Sequence, residues 1–510
     1  MDPKQKPSRG LKTLGSVRLR DQDTGQVILV PQPSNDPNDP LNWVYRYYLA
    51  VLTCSGIFMG NFLAGGPSVA LVEVVVEFFG TPVPSPDDPF TLTPESVAAF
   101  NSAVSKTSYL FTVSALAYGV SNLFWMPFTV KFGRRPVYIS SFILFTACTI
   151  WASRAQSLYS AALQLGAAGG SVLTGVISIH NNWRMTYYVA VAMNGLITLL
   201  VIFTMPETAY DRATVEIESN TVEVEKSSEG VGAGSREEIE TVAGLEENIP
   251  VTRRKSYWES MSILNGILTQ EPLWKIFLRP VAMLLLPSVL WATLVLGTCV
   301  GYIVVMSTVV PSAFQSVYGF NTWQTGVLWV SSLLGALISM PFAGVFSDFV
   351  ANKLTERNAG IREPEMRLPA LLPMAIIVPG SLILFGFGVQ HELHWIAAAV
   401  GMALLGFGVV GCGNIAVVYT IDAYRPVAGE VVVAEMGFKA VVAFLVSFYA
   451  NKWIEHSGYD GTFATMAGMS VGTLALGVPL YIWGKRIRQR TLGWSIMKLV
   501  DWCEDREVGE

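Results

Sequence analysis

Charge is what this chain has least of. Asp, Glu, Lys and Arg supply 14% of its 510 residues, against about 25% in an average soluble domain. Histidine is rarer still, with His180, His391, His394 and His456 the whole complement. His391 and His394 share a short loop, yet no carboxylate stands beside them at metal-binding spacing. Five cysteines, Cys54, Cys148, Cys299, Cys412 and Cys503, form no disulfide framework. Four of them lie in apolar runs, where cysteine acts as a small hydrophobe. Absent too are a Cys-x-x-Cys pair and a phosphate-cradling loop. No basic stripe with interleaved aromatics marks a nucleic-acid surface. These gaps leave no support for an enzyme, a metal, a cofactor or a nucleic-acid partner. The first 45 residues hold no apolar signal-peptide core, so the first apolar run is itself expected to direct insertion.

What the chain has in quantity is apolar surface. Hydrophobic residues make up 51% of it, and the mean hydropathy is +0.43. They fall into separate runs near 47–70, 107–126, 136–153, 158–180 and 185–205, then 281–307, 324–345, 370–388, 395–420, 432–450 and 464–484. Each is about long enough to cross a bilayer. The expected fold is therefore an all-α polytopic membrane protein with about 11 visible spans, and the lipid bilayer is its first partner.

The few charges say how the runs are threaded. Lys131, Arg134 and Arg135 crowd the turn between the second and third runs, where Gly133 permits a tight corner and Pro136 suits a helix start. Lys353, Arg357, Arg362 and Arg367 fill the stretch 346–369, and Lys485, Arg486, Arg488 and Arg490 follow the last run. The connections 315–323 and 389–394 contain no Lys or Arg. Positive short loops stay on the cytoplasmic side. The organisation expected is a flexible cytoplasmic tail (1–46), an N-terminal bundle (47–206), a cytoplasmic linker (207–280), a C-terminal six-helix bundle (281–484) and a cytoplasmic tail (485–510). Within the linker, 207–256 is too polar to bury a core, and 257–279 has the near-helical apolar spacing of a helix lying on the membrane face. An even number of spans should separate the loop at Lys131 from the linker; three are visible.

Several short stretches resemble one family. Lys131, Gly133, Arg134, Arg135 and Pro136 match the loop between helices 2 and 3 of the major facilitator superfamily, though its acidic position falls on Val130. Asp36-Pro-Asn-Asp-Pro-Leu-Asn-Trp43, Arg362-Glu-Pro-Glu-Met-Arg-Leu368 and Tyr419-Thr-Ile-Asp422-Ala-Tyr424 look like the fungal twelve-span drug:proton antiporter branch. Gly344-Val-Phe-Ser-Asp348 resembles the second copy of the loop pattern, as an internal repeat requires. Helix 4 has no counterpart between Ala152 and Tyr159.

The resemblance implies two bundles rocking about a midplane site. It implies a monomer in the plasma membrane that exports a small organic compound, a drug or secondary metabolite, in exchange for protons. Uptake of a small organic cation is the nearest alternative, and a transport-inactive receptor, prompted by the missing helix, is another. Carried over, the cavity would draw on Asn61, Pro287, Trp291, Tyr302, Asn414 and Tyr419. Gating and coupling would fall to Lys131, Gly133, Arg134, Arg135, Asp348, Asp422, Glu430, Glu435 and Lys439. Ionisable groups at membrane depth are expensive and face a cavity or a partner. Glu435 and Lys439, four apart, share a helix face and are expected to neutralise each other. Asp422 and Glu430 read equally as salt bridges at the cytoplasmic end. Asp348 reads as a helix cap or a solvated loop acid.

Overall fold

The computed structural model describes residues 17–18, 47–56, 58–59, 68, 71–81, 93–154, 184–205, 271–358 and 360–494. Twelve helices stand out among them. The first half contributes α1 (47–56), α2 (Leu71–Phe79), α3 (Pro94–Phe132), α4 (Arg134–Arg154) and α5 (Arg184–Thr204). The second contributes α6 (Leu273–Met283), α7 (Pro287–Tyr318), α8 (Thr322–Arg357), α9 (Leu372–Gln390), α10 (Trp395–Ala423), α11 (Ala428–Ala475) and α12 (Gly477–Leu492). The expected run 158–180 and residue Asn61 lie outside the described residues. So does the linker up to Gln270.

Local sequence explains where these helices start and stop. Thr93 caps α3 by accepting from the Ser96 amide, and Pro94 occupies the first turn. Gly133 ends α3 at φ 93°, a backbone conformation that favours glycine. Helix α4 begins at the next residue, so the corner is a single glycine. Helix α7 opens on Pro287 rather than at 281, because a turn through Leu284 to Leu286 separates it from α6. The membrane-surface helix expected over 257–279 is described from Leu273 and runs on to Met283, with Ile276 and Met283 buried and Trp274 exposed. Helix α8 starts with a capping box of Asn321 and Gln324. Its 36 residues outrun the apolar stretch, so Asp348 lies on a helix, not in a loop. Helix α11 is broken at Gly458, φ 70°, into two limbs that fold back on each other. Five apolar segments of the second half are long enough to cross a bilayer, and the last, 64 residues from Ala428 to Thr491, is long enough to cross twice.

Contacts between ends fix the threading. Arg135, at the start of α4, donates to the Ile202 carbonyl at the end of α5 over 3.2 Å. Further along, the Thr146 and Thr198 hydroxyls meet at 2.7 Å, and Asn194 donates to Thr146 at 2.9 Å. Helices α4 and α5 are therefore antiparallel, with the start of α4 and the end of α5 on one side. Lys131 Nζ lies 3.4 Å from the carbonyl of Glu271, which puts the Gly133 corner on the linker's face. A two-residue ladder, Val17 with Arg362 and Arg18 with Ile361, puts the N-terminal tail and the 346–369 connection on one side as well. Lys131, Arg134, Arg362 and Arg367 gather on that side.

The largest buried cluster belongs to the second half and includes Trp291, Tyr302, Trp329, Phe385 and Phe463. A smaller one joins α1, α4 and α5 through Leu52, Ile139, Ala190 and Val201. The halves meet where α3 lies along α11.

Candidate functional site

Close backbone approach builds the seam between the halves. A side chain at Gly119 of α3 would run into Ala440 and the Gly437 carbonyl of α11, and one at Gly437 would run into Leu123. Small residues at such positions let membrane helices touch, where burial of apolar surface gains little. Toward the outer end, Asn451 donates to the Ser108 hydroxyl at 2.6 Å, and Tyr109 stacks on Phe448 at 4.9 Å. Near that end Thr322, at the start of α8, donates to Glu73 of α2 at 2.6 Å. Glu73 thus joins the halves.

Toward the inner end a relay of charges crosses the same boundary. Glu271, whose carbonyl lies opposite Lys131, holds Arg279 at 2.6 Å and Lys275 at 2.9 Å through its carboxylate. Arg279 of α6 in turn stands 4.0 Å from Glu430 at the start of α11. Beside Lys131, Arg134 is exposed, whereas Arg135 is buried against α5. Lys131, Gly133 and Glu430 are thus brought near one another by α6. Glu271 and Arg279, the residues between them, were not among the sequence candidates.

A second charge cluster lies wholly inside the C-terminal half. Residues Pro364–Leu371 form a short 3-10 segment that carries Arg367 between α8 and α10. There Arg367 donates to Asp348 and to Asp422, both at 2.8 Å. Arg362 also reaches Asp348 at 3.2 Å, and Arg425 reaches Asp422 at 3.4 Å. Asp348 is thus neither a helix cap nor a free loop acid. On the other side of the segment, Arg488 of α12 sits between Glu363 at 2.7 Å and Glu365 at 2.8 Å, its side chain fully buried. The stretch Arg362–Leu368, legible as a motif, is thus a clasp on α8, α10 and α12.

The aromatic residues assigned to a cavity stand elsewhere. Trp291 donates through Nε1 to the Thr473 carbonyl at 3.0 Å, and Tyr302 donates to the Met466 carbonyl at 3.0 Å. Tyr419 meets the Ser288 hydroxyl at 3.2 Å and the Trp291 ring edge-on at 5.8 Å. All three are buried in the C-terminal core. With no water at that depth, indole and phenol hydrogens take the carbonyls of a neighbouring helix. Asn414 is exposed, one turn before the buried Tyr419. A cleft of about 410 Å³ lies at the outer part of α11, lined by Leu445, Val446, Tyr449, Lys452, Trp453 and Met469.

Glu435 is different from every acid above. It is 0% exposed, and neither carboxylate oxygen has a hydrogen-bond partner among the described residues. Thr420 of α10 and Lys439 are its polar neighbours. The expected Glu435–Lys439 pair does not form. The Lys439 ammonium lies 2.8 Å from the Met436 sulfur instead, while Glu435 turns inward to α10.

Four matches to known proteins bear on this arrangement. A family model described as Major Facilitator Superfamily matches residues 152–438. Protein HOL1 of Saccharomyces cerevisiae is 26% identical over 94% of this chain and 93% of its own. The MFS-type transporter penM of Penicillium rubens is 25% identical over 93% of each chain. The probable drug/proton antiporter YHK8 of Saccharomyces cerevisiae is 22% identical, over 66% of this chain and 60% of its own.

Proposed function

Because this chain belongs to the Major Facilitator Superfamily, and so is a multi-pass membrane transporter of small molecules rather than an enzyme, we propose that it exports a small organic compound in exchange for protons. It works as a monomer in the plasma membrane, by alternating access. The observation that carries this reading is the α3–α11 seam. Two bundles, each with its own buried cluster, meet along small residues and a few polar contacts. Such a boundary can part at one end while it closes at the other. The likeness to a probable drug/proton antiporter supports the direction and the driving ion.

The test is the full chain reconstituted into sealed vesicles with an imposed pH gradient and a panel of labelled drug-like amines, cations and neutral polycyclic compounds. Accumulation of one compound against its own gradient, on the acidic side and abolished by a protonophore, is the expected result. Flux that ignores the gradient sinks the exchange. Accumulation on the opposite side turns the protein into an uptake system, and absence of flux for every compound sinks the transport reading.

A further inference from the structure

We propose that the cleft on the outer part of α11 binds one zwitterionic phospholipid of the surrounding bilayer. The proposal needs only that the chain spans a membrane, and it is independent of what the protein carries. The first limb of α11 has three faces. Gly437, Ala440, Phe448 and Asn451 meet α3. Val442, Ala443 and Val446 meet α7 at Gly297 and Gly301. Leu445, Tyr449 and Lys452, spaced by four and then three residues, form the third face, turned away from α3. Leu445 is 53% and Tyr449 55% exposed. The cleft of about 410 Å³ lies along this face, with Val446, Trp453 and Met469 of the second limb as its other walls. It therefore opens to the bilayer and stands outside the α3–α11 seam.

Depth and charge identify the occupant. From Leu445 to Lys452 the cleft covers two helical turns, about 10 Å, so it runs from the headgroup level down into the oil. The limbs reverse at Gly458, where the Tyr459 amide donates to Gln390 at the end of α9 over 2.9 Å. Lys452 lies about 9 Å inside that turn, next to Trp453, as a residue of the interfacial belt does. Leu445, Val446 and the adaptable Met469 offer an acyl chain an apolar bed. Lys452 and Glu455 are both exposed, and neither makes an ion pair among the described residues. Their order matters. The cation is deeper and the carboxylate is one turn further out. A zwitterionic phospholipid carries its phosphate deeper and its ammonium further out, so each of its charges meets the opposite one. An anionic headgroup without an amine would present only like charge to Glu455, and a sterol hydroxyl would answer neither residue. The Trp453 indole N–H, which has no acceptor among the described residues, is free to donate to an ester carbonyl of the lipid.

The experiment is native mass spectrometry of the purified full chain, stripped of lipid in detergent and titrated separately with phosphatidylethanolamine, phosphatidylglycerol, diacylglycerol and a sterol. The wild-type protein is expected to keep one phosphatidylethanolamine under collisions that remove every other added lipid. Lys452→Gln should weaken that retention about 5-fold, and Leu445→Trp, which fills the cleft, should abolish it. Glu455→Gln should erase the preference over phosphatidylglycerol, and Lys353→Gln, at the cytoplasmic end, should change nothing. Phosphatidylglycerol or diacylglycerol held by the wild type as tightly as phosphatidylethanolamine overturns the proposal with no variant needed. Retention that survives both Lys452→Gln and Leu445→Trp overturns it too. So does a bound sterol, or a second copy of the chain, that Leu445→Trp dislodges in place of the phospholipid.

Discussion

Arg488 shows how much one side chain can hold. It is fully buried between two carboxylates, and each of them also faces protein. Replacing it by Met leaves Glu363 and Glu365 buried with less than their share of positive charge. A loss of about 3–5 kcal/mol is expected, seen as a lower unfolding temperature of the detergent-solubilised protein. Exchanging both acids for Gln in the same chain should recover part of it. Gly133 offers a second case. At φ 93° and ψ 170° an L residue is strained, and Gly133→Ala should cost about 1–3 kcal/mol in the same melt. These residues differed in how far the sequence revealed them. Gly133 was visible because a glycine between two apolar runs and beside three cations has few other uses. Arg488 was not, because a cation after the last span reads the same whether it is solvated or clasped. Trp291, Tyr302 and Tyr419 were legible as membrane aromatics, but a ring facing a cavity and a ring facing a carbonyl share one sequence pattern.

Among the elements, the apolar runs located the spans and missed their lengths. Helix α3 has 39 residues and α8 has 36, because a helix continues through polar residues once it leaves the oily layer, and hydropathy stops counting there. The split between α6 and α7 was hidden for the opposite reason: both flanks are apolar, and only Pro287 marks the restart. The packing of α3 on α11 was not legible at all, since glycines at helical spacing mark a close approach without naming the partner. That contact is testable. With native cysteines replaced, Ser108→Cys and Asn451→Cys should cross-link readily, as their polar atoms stand 2.6 Å apart. Adding Gly119→Leu should cut the yield several-fold, because its side chain has to push Ala440 away.

Over the whole molecule, the two ends of the boundary are closed by different chemistry. The outer end uses a stacked pair and two hydrogen bonds. The inner end uses the relay Lys131, Glu271, Arg279 and Glu430. Arg279→Gln breaks the relay at its centre, so a cysteine placed at Leu123 should become labelled from the cytoplasmic side about 10-fold faster, a change worth ~1.4 kcal/mol in the closing equilibrium. The general architecture was readable from short stretches of sequence, because loop charge and repeat pattern are properties of the chain itself. The relay was not, because Glu271 and Arg279 stand just before and within a helix whose place against α3 and α11 only the folded protein sets.

Helix α11 is gripped from two sides, by α7 of its own bundle and by α3 of the other. It cannot let go of both and stay folded, and its second limb is tied to α7 by the Trp291 and Tyr302 bonds. Under the proposed alternating access, α11 would travel with its own bundle and leave α3 bare. Gly119, Leu123, Ser108 and Tyr109 then become wallpaper for whatever passes. Selectivity filters are usually sought among residues that already face a hole; here the ones to vary are hidden in a contact until the moment of use.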